Sequence, residues 1–206
     1  MPIVGTVCGS MIQQQMLSVG FSGQYSIKIA SAIGNGVINM ILASAVYNGI
    51  STGLGLGTGA STGKITGPIV TGASLSNLIF LQMTSVGLVG EKSNKFANAV
   101  GKGIANHMAA ASIVTGISTV VAIGNGTGFI TGIIGTVMGS QILAMMASQG
   151  IIGQYVQKLS NAIGKGVAAA ISASIVNTTI TGVAIGVVGP GFPPIPSTGT
   201  DTGKIF

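Results

Sequence analysis

The feature that most constrains this chain is that it repeats itself. Gly20, Gly23, Gln24, Tyr25, Lys28, Ala32, Ile33, Gly34 and Gly36 return, in order and without a gap, as Gly150, Gly153, Gln154, Tyr155, Lys158, Ala162, Ile163, Gly164 and Gly166. A middle copy reads Gly87, Gly90, Lys95, Ala99, Val100, Gly101 and Gly103. Such self-similarity signals supersecondary units that must stack, because one unit cannot bury its own apolar face. The units also end alike, in Thr62-Gly63-Lys64-Ile65, Thr127-Gly128-Phe129-Ile130 and Thr202-Gly203-Lys204-Ile205, which places boundaries at 1–67, 68–132 and 133–206. The third unit is lengthened by a Pro/Gly-rich loop near 189–200, around Gly189-Pro190-Gly191-Phe192-Pro193-Pro194, expected to be stiff, extended surface backbone.

Within a unit, a first apolar segment such as Met11 to Val19 or Gln141 to Gln149 stops at a Gly-x-x-Gly break and a longer segment follows. So short a break joins antiparallel neighbours, which reads as a helical hairpin. A Gly/Thr/Val-rich tail comes next, for example Val120-Val121-Ala122-Ile123-Gly124 or Gly182-Val183-Ala184-Ile185-Gly186-Val187-Val188. The expected fold is therefore mainly α, with three tandem helical-hairpin repeats joined by Gly/Thr-rich extended segments or short strands.

Overlaying the second helices brings out a polar stripe. Lys28, Ser31, Asn35 and Asn39 fall at i, i+3, i+7 and i+11, as do Lys95, Asn98, Lys102 and Asn106, and then Lys158, Asn161, Lys165 and Ala169. These positions share one helix face, while Ile29, Ile33, Val37, Met40 and Ile41 lie away from it. Five of the eight lysines, Lys28, Lys95, Lys102, Lys158 and Lys165, sit on the stripe.

Glycine inside a helix costs about 1 kcal/mol relative to alanine, so Gly34, Gly36 and their counterparts call for an offsetting gain. Close helix packing supplies one. The same reading covers Gly5 and Gly9, echoed by Gly135 and Gly139, where small residues four apart let backbones approach.

Charged residues make up 5% of the 206 positions, against roughly 25% in ordinary domains. A folded chain of this size exposes on the order of 8,800 Å², so its ten formal charges are spread very thinly. Such a surface is poorly solvated, and much of it is expected to face other subunits or lipid. The 47% hydrophobic content excludes charge-driven disorder, and glycine without a three-residue period excludes collagen. A single cysteine, Cys8, excludes an intramolecular disulfide framework. No positive region precedes the apolar stretch in Met1-Pro2-Ile3-Val4-Gly5, which argues against a secretory signal.

The inventory for chemistry is poor. Besides lysines, tyrosines and Cys8, the titratable groups are Glu91, Asp201 and His107. Glu91 opens the second helix of the middle repeat, where a carboxylate suits the helix dipole. His107 lacks a companion histidine or nearby cysteine that would make a metal site. Gly57-Thr58-Gly59-Ala60-Ser61-Thr62-Gly63-Lys64 resembles a phosphate loop, but the pattern requires glycine where Thr58 stands and Ser or Thr where Ile65 stands. Ser61 and Lys64 also match a bare Ser-x-x-Lys without its accompanying motifs, so a turn is the expected role of this segment. No catalytic residue, metal ligand or cofactor site is expected.

Three readings of the lysine stripe stay open: a solvated face, a lining toward an anionic partner such as DNA, and interfacial contact with lipid. The absence of arginine and interleaved aromatics argues against sequence-specific nucleic-acid recognition. A stretch without formal charge from Gly103 to Gln157 is long enough to span a bilayer, though Gly, Ser, Thr, Asn and Gln dilute it and no tryptophan belt flanks it.

The Gly-x-x-Gly hairpin, the Ala-Ile-Gly-x-Gly-Val core at Ala32 to Val37 and Ala162 to Val167, and the Thr-Gly-Lys-Ile unit ends together resemble repeat-bearing virion structural proteins of tailed bacteriophages. The resemblance implies a non-enzymatic particle component, located in the virion and packed against copies of itself and other virion proteins, with non-specific DNA contact as a further implication. It transfers no functional residue. The alternative is a membrane-inserting or pore-forming protein.

Overall fold

A computed structural model of the chain describes residues 4–44, 46–54, 57–66, 71–111, 113–120, 123–173, 175–181 and 196–205. It is mainly helical. In chain order the elements are α1 (Gly5–Ser18), α2 (Gln24–Ser44), β1 (Val46–Leu54), β2 (Gly57–Thr66), α3 (Gly72–Ser85), α4 (Glu91–Ala111), β3 (Ile113–Val120), β4 (Ile123–Thr131), α5 (Gly135–Ser148), α6 (Val156–Ser172), β5 (Ile175–Thr181) and β6 (Pro196–Ile205).

The turn after each first helix is built by the same local chemistry. Gly20 has φ +91, a conformation that costs an L side chain, and its N–H donates to the Leu17 carbonyl while the Phe21 N–H donates to that of Met16 (2.9 Å). Gly87 with Leu88 and Gly150 with Ile151 make the same pair of bonds onto the ends of α3 and α5. Each turn thus satisfies carbonyls that the helix end would leave bare. The residue after each glycine, Phe21, Leu88 or Ile151, packs on the buried cluster that includes Met16, Met83 and Met146.

The first helices begin earlier than the apolar pattern indicates. α1 starts at Gly5 rather than near Met11, and α5 at Gly135 rather than near Gln141. Glycines at 5, 9, 135 and 139 weaken the local helix signal, but they are where α1 and α5 come closest to the following helix. A Cβ on Gly9 would lie 3.0 Å from the Ser31 Cα, and one on Gly135 would lie 2.6 Å from that of Lys165. Tertiary packing overrides propensity here.

Each helix packs on the next along the chain, and α6 packs on α1, so the six helices close into a ring. The paired glycines of the second helices explain how. A Cβ on Gly34 would meet the Gly5 carbonyl oxygen of α1 at 2.7 Å, and one on Gly36 would meet the Ile79 Cα of α3 at 2.9 Å. Gly101 and Gly103 face Ser76 of α3 and Ile142 of α5 in the same way, and Gly164 and Gly166 face Gly139 of α5 and Ile12 of α1. One glycine of each pair therefore seats the preceding first helix, and the other seats the next. Ile12, Ile79 and Ile142, all fully buried, fill the equivalent seams, and burial of a side chain this size contributes about 1.5–3 kcal/mol. Ile33, Val37 and Ile41 of α2, Val100, Ile104 and Met108 of α4, and Ile163, Val167 and Ile171 of α6 complete the core.

The strands are more ordered than the expected tails. β1 to β6 pair antiparallel in sequence, and β6 pairs with β1, giving a closed barrel. Its register runs from Thr52 to Ala60, Ile117, Thr127, Asn177, Lys204 and back to β1 at Val46, a stagger of six residues over six strands. Six strands make a barrel narrower than the eight-stranded kind that side chains just fill. Ile130 of β4 is 2% exposed and pairs with Val114 of β3.

Three sequence expectations change accordingly. The segment 57–64 is not a turn but most of β2, paired to both β1 and β3. Val120 and Ile123 belong to different strands, because β3 ends at the first and β4 begins at the second. Of the loop expected near 189–200, residues 196–200 lie in β6, whereas 189–195, like the extended segment expected over 182–188, lie outside the described residues.

Candidate functional site

Chain direction sorts the molecule into two ends. Each second helix runs into a strand, so the barrel caps the C-terminal ends of α2, α4 and α6, and the three helix–helix turns lie together at the opposite end. Three of the stripe lysines, Lys28, Lys95 and Lys158, sit near that turn end, whereas Lys102 and Lys165 lie two helical turns nearer the barrel. Lys95, Lys158 and Lys165 are exposed, and Lys28 and Lys102 are half-buried. The structure distributes the stripe over three separate helices of the ring and does not gather it into one cluster. Lys102 and Lys165 pack their backbones against Gly72 and Gly135, so part of the stripe borders the α3 and α5 contacts.

Individual partners differ between copies. Lys95 Nζ pairs with Glu91 Oε1 at 2.7 Å one helical turn away, and this bond with the lysine charge holds the Glu91 carboxyl below its ordinary range. Lys158 Nζ stands 5.9 Å from the centre of the Tyr155 ring, within cation–π range. Tyr155 in turn meets Phe21 edge to face, ring centres 6.3 Å apart, where α6 closes onto α1.

The turn end is unusually apolar for exposed loops. Tyr25 is 72% exposed, Val89 66%, Ile152 81% and Tyr155 60%. By repeat position, Lys92 stands where Tyr25 and Tyr155 stand in the other units. There a cleft of about 470 Å³ opens, lined by Lys92, Lys95, Phe96, Gln149, Gly150, Ile151 and Ile152. These exposed apolar residues escape the sequence reading, although apolar residues beside turn glycines at 89 and 152 are a usable signal, because loops are ordinarily polar there.

The two acids and the histidine belong to α4 and β6. Glu91 is at the turn end of α4, His107 at its barrel end, and Asp201 within β6. Among the described residues there is no group of three or more His, Cys, Asp or Glu able to hold a metal. His107 is 2% exposed, and its Nε2 accepts the Ile134 N–H at 3.1 Å, tying α4 to the start of α5. The ring is therefore neutral with its proton on Nδ1, which has no hydrogen-bond partner among the described residues. Burial lowers its pKa because the charged form loses hydration. Cys8 is buried in the α1 packing face, and the same cost for the thiolate pushes its pKa up to about 12. Among the described residues one helical segment, Gln24–Ala43, is long and apolar enough to cross a membrane, and more than half of it is buried inside the ring.

Comparison of the chain with protein-family models, curated sequences and solved structures finds no match.

Proposed function

We propose that the chain is a non-enzymatic structural subunit of a tailed-phage particle, made of three tandem helical-hairpin units joined by Gly/Thr-rich strands and built into an oligomeric assembly with virion proteins. The observation that carries this reading is the pairing of a doubly closed scaffold and a total surface of 9923 Å² with a chain that has only eight lysines and two acids. So sparse a charge suits a surface that spends its life against other protein. The chain's short inventory of acid–base groups, with Glu91, Asp201 and His107 the titratable residues besides lysines, tyrosines and Cys8, supports the non-enzymatic part. On this reading the lysines face water or the phosphates of packaged DNA.

Density-gradient sedimentation of the native protein without detergent, followed by mass spectrometry of the fractions, is the test. Recovery in tailed or DNA-containing particles supports the reading. Recovery only in membrane vesicles, resistant to alkaline wash, overturns it in favour of an inserted or pore-forming protein.

A further inference from the structure

We propose that the turn end is a docking crown for a homotrimeric protein, with one copy of this chain seated on the threefold axis of three identical partner chains. The proposal rests on the structural-subunit reading and names the symmetry and chemistry of the partner.

Three observations converge on it. First, the helix ring and the barrel both close within one chain, so among the described strands there is no free sheet edge through which copies could add. Second, the turn end repeats the same backbone device three times around one closed ring, at Gly20, Gly87 and Gly150. A surface with three near-equivalent faces is matched by a partner that offers three identical ones, whereas an asymmetric partner could engage only one face well. Third, the most exposed apolar side chain of the described residues, Ile152, lies in one turn, Val89 lies in another, and Tyr25 follows the third. Tyrosine is enriched at interface centres, and exposed apolar residues gathered at one end of a molecule mark an interaction surface.

Charge sets the chemistry of the partner. Lys28, Lys92, Lys95 and Lys158 lie within the first turns of the second helices, and Glu91 is the one acid among the described helices. An end that combines exposed apolar residues with four lysines and a single acid fits a partner surface carrying carboxylates. The three faces are not identical. Tyr155 is packed on Phe21, while Lys92 leaves a cleft beside Ile152, so the crown grips three equal partner chains with slightly unequal contacts.

The test places the photoreactive residue p-benzoylphenylalanine at the equivalent turn positions Ser22, Val89 or Ile152, one at a time, in protein made in producing cells. Purified particles are irradiated and the adducts sequenced, and native mass spectrometry weighs the released complex. The expected result is that all three positions, though they lie in turns of different sequence, link to the same stretch of one partner, with three partner chains per copy. Links to three unrelated stretches, links to a second copy of this chain, or no link at any position in particles that contain the protein overturn the proposal and leave particle membership standing. Flotation with phosphatidylglycerol vesicles that is lost in a Val89→Glu, Ile152→Glu variant assigns the crown to a bilayer and likewise overturns it. Absence of the protein from particles sinks the underlying reading instead.

Discussion

Gly166 of the last helix lies against the backbone of Ile12 in the first, so close that a Cβ at 166 would stand 2.7 Å from the Ile12 nitrogen. The contact repeats, at the end of the chain, what Gly36 does with Ile79 and Gly103 with Ile142. It is the closing contact of the helix ring.

Gly166→Ala is accordingly expected to destabilise the protein by about 1–3 kcal/mol, because the obstacle is backbone and cannot rotate away. In a chain of this length that lowers Tm by roughly 2–4 °C for each kcal/mol. Thermal unfolding followed by circular dichroism reads the shift. An unchanged Tm would mean that the α6–α1 contact is looser than described.

At Gly20 the penalty has a different origin. No atom lies within 4 Å of a Cβ there, but φ is +91. Gly20→Ala should cost on the order of 1 kcal/mol through backbone strain, and Gly20→Asn less, since asparagine tolerates the left-handed region. Equal losses for the two variants would point to packing and contradict this account.

His107 gives stability a pH dependence with a definite sign. Its folded pKa is lowered below the ordinary 6.5, so the unfolded chain takes up the proton first as pH falls. The stability is complete above that value and declines as pH drops through it toward the depressed folded value. Tm measured from pH 7.5 down to 5 should fall, and His107→Gln, which keeps an acceptor for the Ile134 N–H, should flatten the decline. A wild-type Tm constant over that range would count against a neutral, buried His107.

Cys8 should be nearly inert in the folded protein. Raising its pKa from 9.0 to about 12 lowers the thiolate fraction near pH 8 about 1,000-fold, before any effect of access. Reaction with a chromogenic disulfide should be slow in buffer and rapid in denaturant, and the single thiol makes the stoichiometry unambiguous. Rapid labelling of native protein would show that α1 opens readily from α2.

The mainly helical character was legible because the second helices carry a 3.6-residue pattern over five turns, with Ile33, Val37 and Ile41 against Lys28, Asn35 and Asn39. The glycine pairs at 34 and 36 also announced close packing, since nothing else offsets their cost. Barrel closure was not legible. The strands alternate Gly and Ser with Thr rather than polar with apolar residues, so the period-2 signal that marks a strand is faint in β2 and β6. The packing role of Gly5, Gly9, Gly135 and Gly139 was legible from their spacing, while the apolar pattern alone starts only near Met11 and Gln141, because the residue that admits a neighbouring backbone is a poor helix former. The lysines read as one stripe in an overlay because the overlay stacks three helices that space holds apart. Exposed apolar turn residues were passed over because Ile152 and Val89 look, one at a time, like ordinary core residues.

The seam between α6 and α1, and between β6 and β1, differs from the other two in one respect: no peptide bond crosses it. Solenoid arrays lengthen or shorten by whole helix pairs, but in this ring a further pair would have to open the α6–α1 seam and a missing pair would leave a gap. The molecule resembles a split washer whose two lips match. Should the lips part and each meet the opposite lip of another copy, the contact no longer returns on itself, and the product is a head-to-tail filament. Tight backbone contact at Gly166 is thus also what holds the ring closed within one chain.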